Sequence, residues 1–214
     1  MAKITILGGT GYAGSNLVKA AATAGHEVTS VSRSAPDAQL DGVSYVTGSV
    51  LEDGALDRAF DGAEVVVSAL SPRGELERRT RGVLATAAAL AAKQGVRFGV
   101  VGGAGSLLVA EGGPRLADTD GFPDAVKPEA AEMAGVLDDL RASDPGLDWF
   151  YVSPAAAFGA WAPGEALGEY RIGGDVLLTD ANGDSNISGA DFAAAIVAEI
   201  ESPAHRRARF GVAY

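Results

Sequence analysis

Residues 3–34, KITILGGTGYAGSNLVKAAATAGHEVTSVSRS, decide the fold. Ile4, Ile6 and Leu7 read as a short buried strand, after which the chain turns through a run containing Gly8, Gly9, Gly11 and Gly14. An amphipathic helix follows, with Leu17, Val18, Ala21 and Ala24 recurring at intervals of three and four. Gly25 stops that helix, and residues 28–31 resume an extended apolar pattern. Strand, glycine loop, helix and strand within about 30 residues make a complete βαβ unit.

The glycines give this unit its chemistry. Gly8 permits a tight turn, Gly11 lets a backbone approach a pyrophosphate with no Cβ in the way, and Gly14 lets the helix lie close to the strand. Amides at the start of the helix then face the phosphates, aided by the helix dipole, so that Gly8, Thr10, Gly11, Tyr12, Ala13 and Gly14 form one phosphate-binding turn. The spacing is Gly-x-x-Gly-x-x-Gly, not the Gly-x-Gly-x-x-Gly of the standard dinucleotide fingerprint. Three glycines alone would fit an ordinary loop; it is the order of the elements around them that points to a nucleotide. At the end of the second strand, about 20 residues on, an acid would bind a ribose 2′-hydroxyl and select NAD, whereas an arginine accommodates a 2′-phosphate. The chain has Ser32, Arg33 and Ser34 there, with no acid until Asp37, which gives the expectation of NADP (NADPH) over NAD. The bland alternative for Arg33 is a solvated surface side chain.

The rest of the chain continues the alternation. Residues 34–42 read as a loop, 43–47 as a strand, 52–60 as a helix with Leu56 and Phe60 on one face, and 63–70 as an apolar strand suited to a sheet covered on both sides. An alanine-rich helix over 76–93 and a strand over 97–101 follow, the latter running into Gly102, Gly103, Ala104 and Gly105. These elements predict an α/β fold, a doubly wound parallel sheet with helices on both faces. Residues 107–128 read as a long loop over the carboxyl ends of the strands, 129–142 as a helix and 147–152 as a sixth strand. Beyond Pro154 the pattern breaks: 176–179 fits a short strand, 190–201 a helix and 209–212 a final strand. One domain over 1–214 is expected, with a dinucleotide-binding core over 1–153 and a substrate-side cap with the final helix and strand over 154–214.

GGTGYAG near the start, a strand ending in SVSRS, and VVGGAGSL at 100–107 together resemble the atypical short-chain dehydrogenase/reductases, and within them the NmrA-like group of NAD(P)H-binding flavin and biliverdin reductases and cofactor-sensing regulators. The resemblance covers nearly the whole chain. It implies a Rossmann-type sheet, with Ala69 and Leu70 beside the cofactor ribose and pyrophosphate, and Gly102, Gly103 and Ser153 near the nicotinamide. Tight packing is the alternative for both strand ends. Ser49 stands where the family often has an aspartate that holds adenine. Members with the full mechanism carry Tyr-x-x-x-Lys, in which the lysine lowers the tyrosine pKa for proton transfer. Lys127 matches the lysine, but Pro123 stands at the tyrosine position, and no tyrosine lies between Tyr45 and Tyr151. Ser106 resembles the accompanying serine, so Ser106 and Lys127 are the catalytic-side candidates, with a turn residue as the alternative for the serine.

Without that tyrosine, reduction of a simple ketone lacks a proton donor. A conjugated acceptor such as a flavin or quinone delocalises the charge and can take its proton from water, and Trp149, Phe158, Trp161 and Tyr170 offer aromatic surface for one, with core packing as the alternative for most of them. The expected function is therefore an NADPH-dependent reductase of a small conjugated or aromatic acceptor. An NADP(H)-sensing regulator without turnover, or an NAD-dependent epimerase or dehydratase, are the alternatives.

Composition sets the outer bounds. The 214 residues suit one core, and a formal net charge of −11 repels polyanions, so neither nucleic acid nor an acidic membrane is expected as a partner. A small-molecule substrate is, acting on a monomer or homodimer. No cysteine is present, which excludes disulfides, thiolate metal sites and cysteine nucleophiles. His26 and His205 share no segment with another metal-type ligand, and Asp118, Asp120 and Asp124 read as a solvated face, so no metal is expected. No run approaches the roughly 18 apolar residues needed to span a bilayer, and no leader pattern opens the chain, giving a cytoplasmic expectation.

Overall fold

A computed structural model describes all of residues 1–214. Eight strands form one sheet in the order β3-β2-β1-β4-β5-β6-β8-β7. They are β1 (Lys3–Leu7), β2 (Glu27–Ser32), β3 (Val43–Thr47), β4 (Val65–Ser68), β5 (Arg97–Val101), β6 (Trp149–Pro154), β7 (Arg171–Gly173) and β8 (Ala208–Ala213). All neighbours are parallel except β7, which runs antiparallel to β8. The helices are α1 (Tyr12–Thr23), α2 (Ala55–Phe60), α3 (Thr80–Gln94), α4 (Lys127–Arg141) and α5 (Gly189–Glu201).

Strands β4, β5 and β6 are buried along their whole length, so their sequences are almost unbroken apolar runs. Gly99 has no side chain because a Cβ there would meet the Phe150 ring at 2.3 Å. On one face α1 and α5 cover Ile4, Ile6, Phe150 and Phe210. On the other, α2, α3 and α4 cover Leu7, Val66, Phe98 and Trp149. Of the residues after Pro154, α5 and β8 therefore belong to the main layers, and β7 is the edge strand beside β8.

Three boundaries differ from expectation. The second helix starts only at Ala55, since Gly54 takes φ +71°. The third starts at Thr80, behind a separate 3₁₀ turn at Gly74–Leu76 and Arg78 at φ +59°. Residues 176–179 are not a strand: the Asp175 carbonyl and the Leu177 amide bond to Leu108 of the long loop, and β7 is taken from 171–173 instead. No helix is long and apolar enough to cross a membrane.

The amino edge of the sheet is tied by a buried ion cluster. Arg97 donates to the Glu199 carboxylate at 2.5 Å and to its carbonyl at 2.7 Å, and its guanidinium lies 4.7 Å from the Phe150 ring centre. His205 Nδ1 lies 2.7 Å from the same carboxylate. Burial alone would raise the Glu199 carboxyl, but hydrogen bonds from Arg97 and His205 hold it below the usual value.

Glu199→Ala should cost up to about 3 kcal/mol, because it leaves the buried Arg97 charge with only Asp148, 3.6 Å from its Nε, as a counter-charge; urea denaturation measures it. Since the folded-state carboxyl sits below its unfolded value, its stabilisation is complete above a pH of about 4.3 and is lost as pH falls through the folded value. The same variant should accordingly show a shallower loss of stability in acid.

Candidate functional site

The chain runs from β1 outward to β3 and then returns to β4 on the other side of β1, so the carboxyl ends of β1 and β4 flank a crevice where loops part in opposite directions. Gly8 enters it at φ +83°, its amide donating to the Val31 carbonyl at 2.8 Å. Gly14 sits directly against that turn: a Cβ would stand 2.1 Å from the Gly8 carbonyl oxygen, which only glycine avoids. The Thr10 amide donates to Ser32 Oγ at 3.0 Å, pinning the loop to β2.

Helix α1 has Gly11 as its N-cap in extended conformation and no side-chain cap. The amides of Tyr12, Ala13 and Gly14 have no acceptor within the protein, in contrast to α5, where Ser188 Oγ accepts from the Asp191 amide at 3.0 Å. Gly11 also differs from its neighbours, because its Cβ position is nearly open, with only the Gly8 carbonyl at 3.4 Å. The fold needs glycine at 8, 9 and 14; at 11 only something approaching from outside does.

A cleft of about 340 Å³ extends from this loop. Gly8, Thr10 and Gly11 line it from β1, Ser32 and Arg33 from β2, Ser49 from β3, and Ala69, Leu70, Arg73 and Glu75 from β4. Arg33 Nη1 lies 3.8 Å from Glu75 Oε2, and Arg73 Nε lies 2.6 Å from Glu129 Oε2. Ser32 Oγ accepts from Thr10, and its O–H remains available to donate. Ser34 is exposed and does not line the cleft. Arg73 and Glu75 were not singled out in the sequence, although the charged run PRGELERR directly after an apolar strand was the available signal.

The residues assigned to the far end are more dispersed. Gly103 is open, with nothing within 4 Å of its Cβ position, but at Gly102 a Cβ would fall 2.1 Å from the Tyr151 ring, so packing demands that glycine. Ser153 is fully buried in β6 and its hydroxyl has no partner, so it does not face the cleft. Ser106 is buried, its Oγ accepting from Arg209 Nη1 at 2.9 Å. Arg209 in turn pairs with Asp175. Lys127 opens α4 and pairs with Asp124 at 2.7 Å, on the exposed side of its own turn. Tyr151 donates to the Met133 carbonyl at 3.1 Å, and burial pushes its phenol up to about 12. Tyr12 spends its hydroxyl on the Pro163 carbonyl and the Gly189 amide, at 3.0 and 3.1 Å. Neither phenol is free to serve as a proton donor in the crevice. No group of three or more His, Cys, Asp or Glu side chains is arranged to hold a metal. A second groove of about 300 Å³, between α3 and α4, is apolar and lies away from the glycine loop.

Residues 8–203 match a family model described as NAD(P)H-binding, and the chain belongs to that family. It is 38% identical over 211 residues to the uncharacterised protein YwnB of Bacillus subtilis, covering 98% of this chain and 97% of that one. Among solved structures, a candidate epimerase from Bacteroides thetaiotaomicron superposes with a TM-score of 0.88 at 34% identity, covering 100% of this chain and 97% of that one. A candidate NADH-flavin reductase from Streptococcus pneumoniae does so with a TM-score of 0.82 at 32% identity, covering 100% and 99%. The crevice fits the family's ligand: uncapped amides and the open face of Gly11 suit a pyrophosphate.

Gly11→Val should abolish NAD(P)H binding with a loss of stability under about 1 kcal/mol, because its branched side chain projects into the crevice and not into the core. Gly14→Ala should instead destabilise the fold by about 1–3 kcal/mol through its collision with Gly8. Calorimetric titration with thermal unfolding of both variants separates the two roles; normal binding by a folded Gly11→Val protein would remove the loop from the site.

Proposed function

We propose that this NAD(P)H-binding protein is an NADPH-dependent reductase whose acceptor is a small conjugated or aromatic molecule, flavin- or quinone-like. What carries the reading is the state of the tyrosines: Tyr151 is buried, with its hydroxyl donated to Met133, Tyr12 is committed to Pro163 and Gly189, and Pro123 stands one turn before Lys127. Reduced nicotinamide, when bound, supplies a hydride with its electron pair, and a conjugated acceptor spreads the resulting charge until water provides the proton. A simple ketone needs its proton at the developing alkoxide, and the hydroxyls of Tyr151 and Tyr12 are already engaged elsewhere.

The chain's own part is binding and orientation. The amides of Tyr12, Ala13 and Gly14 would take the pyrophosphate, and Arg33 with the Ser32 hydroxyl a 2′-phosphate. Ala69 and Leu70 would flank the ribose, and the open backbone at Gly103 would leave room for the nicotinamide. Lys127 would position cofactor or substrate. The exposed Trp161, next to the stretch that Tyr12 ties to α1, gives a flat apolar surface for an acceptor ring. The reductase name carried by the Streptococcus pneumoniae structure accords with this chemistry, although that name specifies NADH.

NADPH should bind about tenfold more tightly than NADH, the low end for a charge-assisted phosphate contact because the Arg33 side chain is 66% exposed. Arg33→Ala should remove most of that difference in calorimetric titration, and equal affinities in the unmodified protein would sink the 2′-phosphate assignment.

Purified protein should oxidise NADPH well above the spontaneous rate with flavins or quinones and poorly with simple ketones, followed by absorbance. Lys127→Ala should weaken binding or turnover without abolishing either. Tight NADPH binding with no turnover across such a panel would favour a cofactor-sensing protein instead, and fast ketone reduction would show that a proton donor had been missed.

A further inference from the structure

Two carboxylates hold the two arginines of the cleft, and they are not equivalent. Glu129, on α4, holds Arg73 at 2.6 Å and is itself largely covered. Glu75 approaches Arg33 at 3.8 Å with 62% of its side chain exposed, and it has no other partner. Gly74, at φ +60°, brings the loop this close, its Cβ position lying 4.0 Å from the same Arg33 Nη1. The backbone on either side of Glu75 is anchored to α4: through Arg73 and Glu129 before it, and after it through Glu132, which accepts the Arg78 and Arg81 amides at 3.0 Å each. The loop is thus held on both sides, while the Glu75 side chain is exposed and makes no hydrogen bond.

We infer that Glu75 sets how strongly the cleft discriminates between nucleotides with and without a 2′-phosphate, by occupying the guanidinium that the phosphate would take. The inference rests on the assignment of Arg33 to that phosphate. A 2′-phosphate must displace the Glu75 carboxylate and then remain beside it, so like charges oppose binding. A 2′-hydroxyl brings no charge and can donate to that same carboxylate, as an acid does in NAD-selective sites. Arg33 and Glu75 therefore pull selectivity in opposite directions, and the preference of this chain is the difference between them.

The experiment is calorimetric titration of NADPH and NADH at one low ionic strength into the unmodified protein, Glu75→Gln, Glu77→Gln and Arg33→Ala. Glu77 is exposed and outside the cleft, so its variant makes the same change in net charge without touching Arg33. Glu75→Gln should raise the NADPH-to-NADH affinity ratio by about three- to tenfold, and Glu77→Gln should move it by less than about twofold. A ratio unchanged in Glu75→Gln, or moved equally by Glu77→Gln, would overturn the inference while leaving the Arg33 assignment intact. A ratio untouched by Arg33→Ala would overturn both.

Discussion

The contact between Gly14 and the Gly8 carbonyl is the constraint on which the site depends. No side chain fits between helix α1 and the turn after β1, and that closeness points the start of the helix into the crevice between β1 and β4. Three amides are left without acceptors there, at the positive end of the helix dipole. Such groups are costly only when buried away from water and anions. On an open crevice they make a binding surface, and the Thr10 bond to Ser32 holds that surface in register with β2.

From this fixed point the crevice grades in character. Toward β2 and β3 it is polar and charged, with arginines and glutamates opposed across it. Toward β5 and β6 the polar groups have withdrawn into the fold: Ser106 onto Arg209, Tyr151 onto Met133, and Ser153 into the strand. A dinucleotide also varies in character along its length, its charge on the phosphates and a flat ring at each end. The chain's overall negative charge disfavours such a ligand except where local amides and guanidiniums offset it.

Helix α4 links the two ends. Its first turns carry Lys127 and also Glu129 and Glu132, which grip the loop after β4 at Arg73 and at the start of α3. The long segment 107–128 leads into the same helix and is pinned through Leu108 to the backbone around Asp175. Loops that lack a core of their own are thereby held by side-chain bonds to a helix that has one, and this keeps the carboxyl edge of the sheet shaped.

The sequence by itself determined the first βαβ unit, the helices on both faces and the nucleotide-binding class, because these rest on local period and on glycines whose neighbours in sequence are their neighbours in space. It placed Gly8, Thr10, Gly11, Ser32, Arg33, Ala69 and Leu70 as candidates, and these lie around one cleft. What only the tertiary structure decided are the pairings made across the fold. Arg73 and Glu75 reach the cleft because β4 lies beside β1, and Gly102 answers to Tyr151 in another strand. Ser153 and Ser106 are buried by a β8 inserted next to β6, and residues 171–173 displace 176–179 as a strand because Leu108, some seventy positions earlier, takes the backbone bonds of the later segment. Local patterns register which face a residue shows; they carry no record of what the fold brings to meet it.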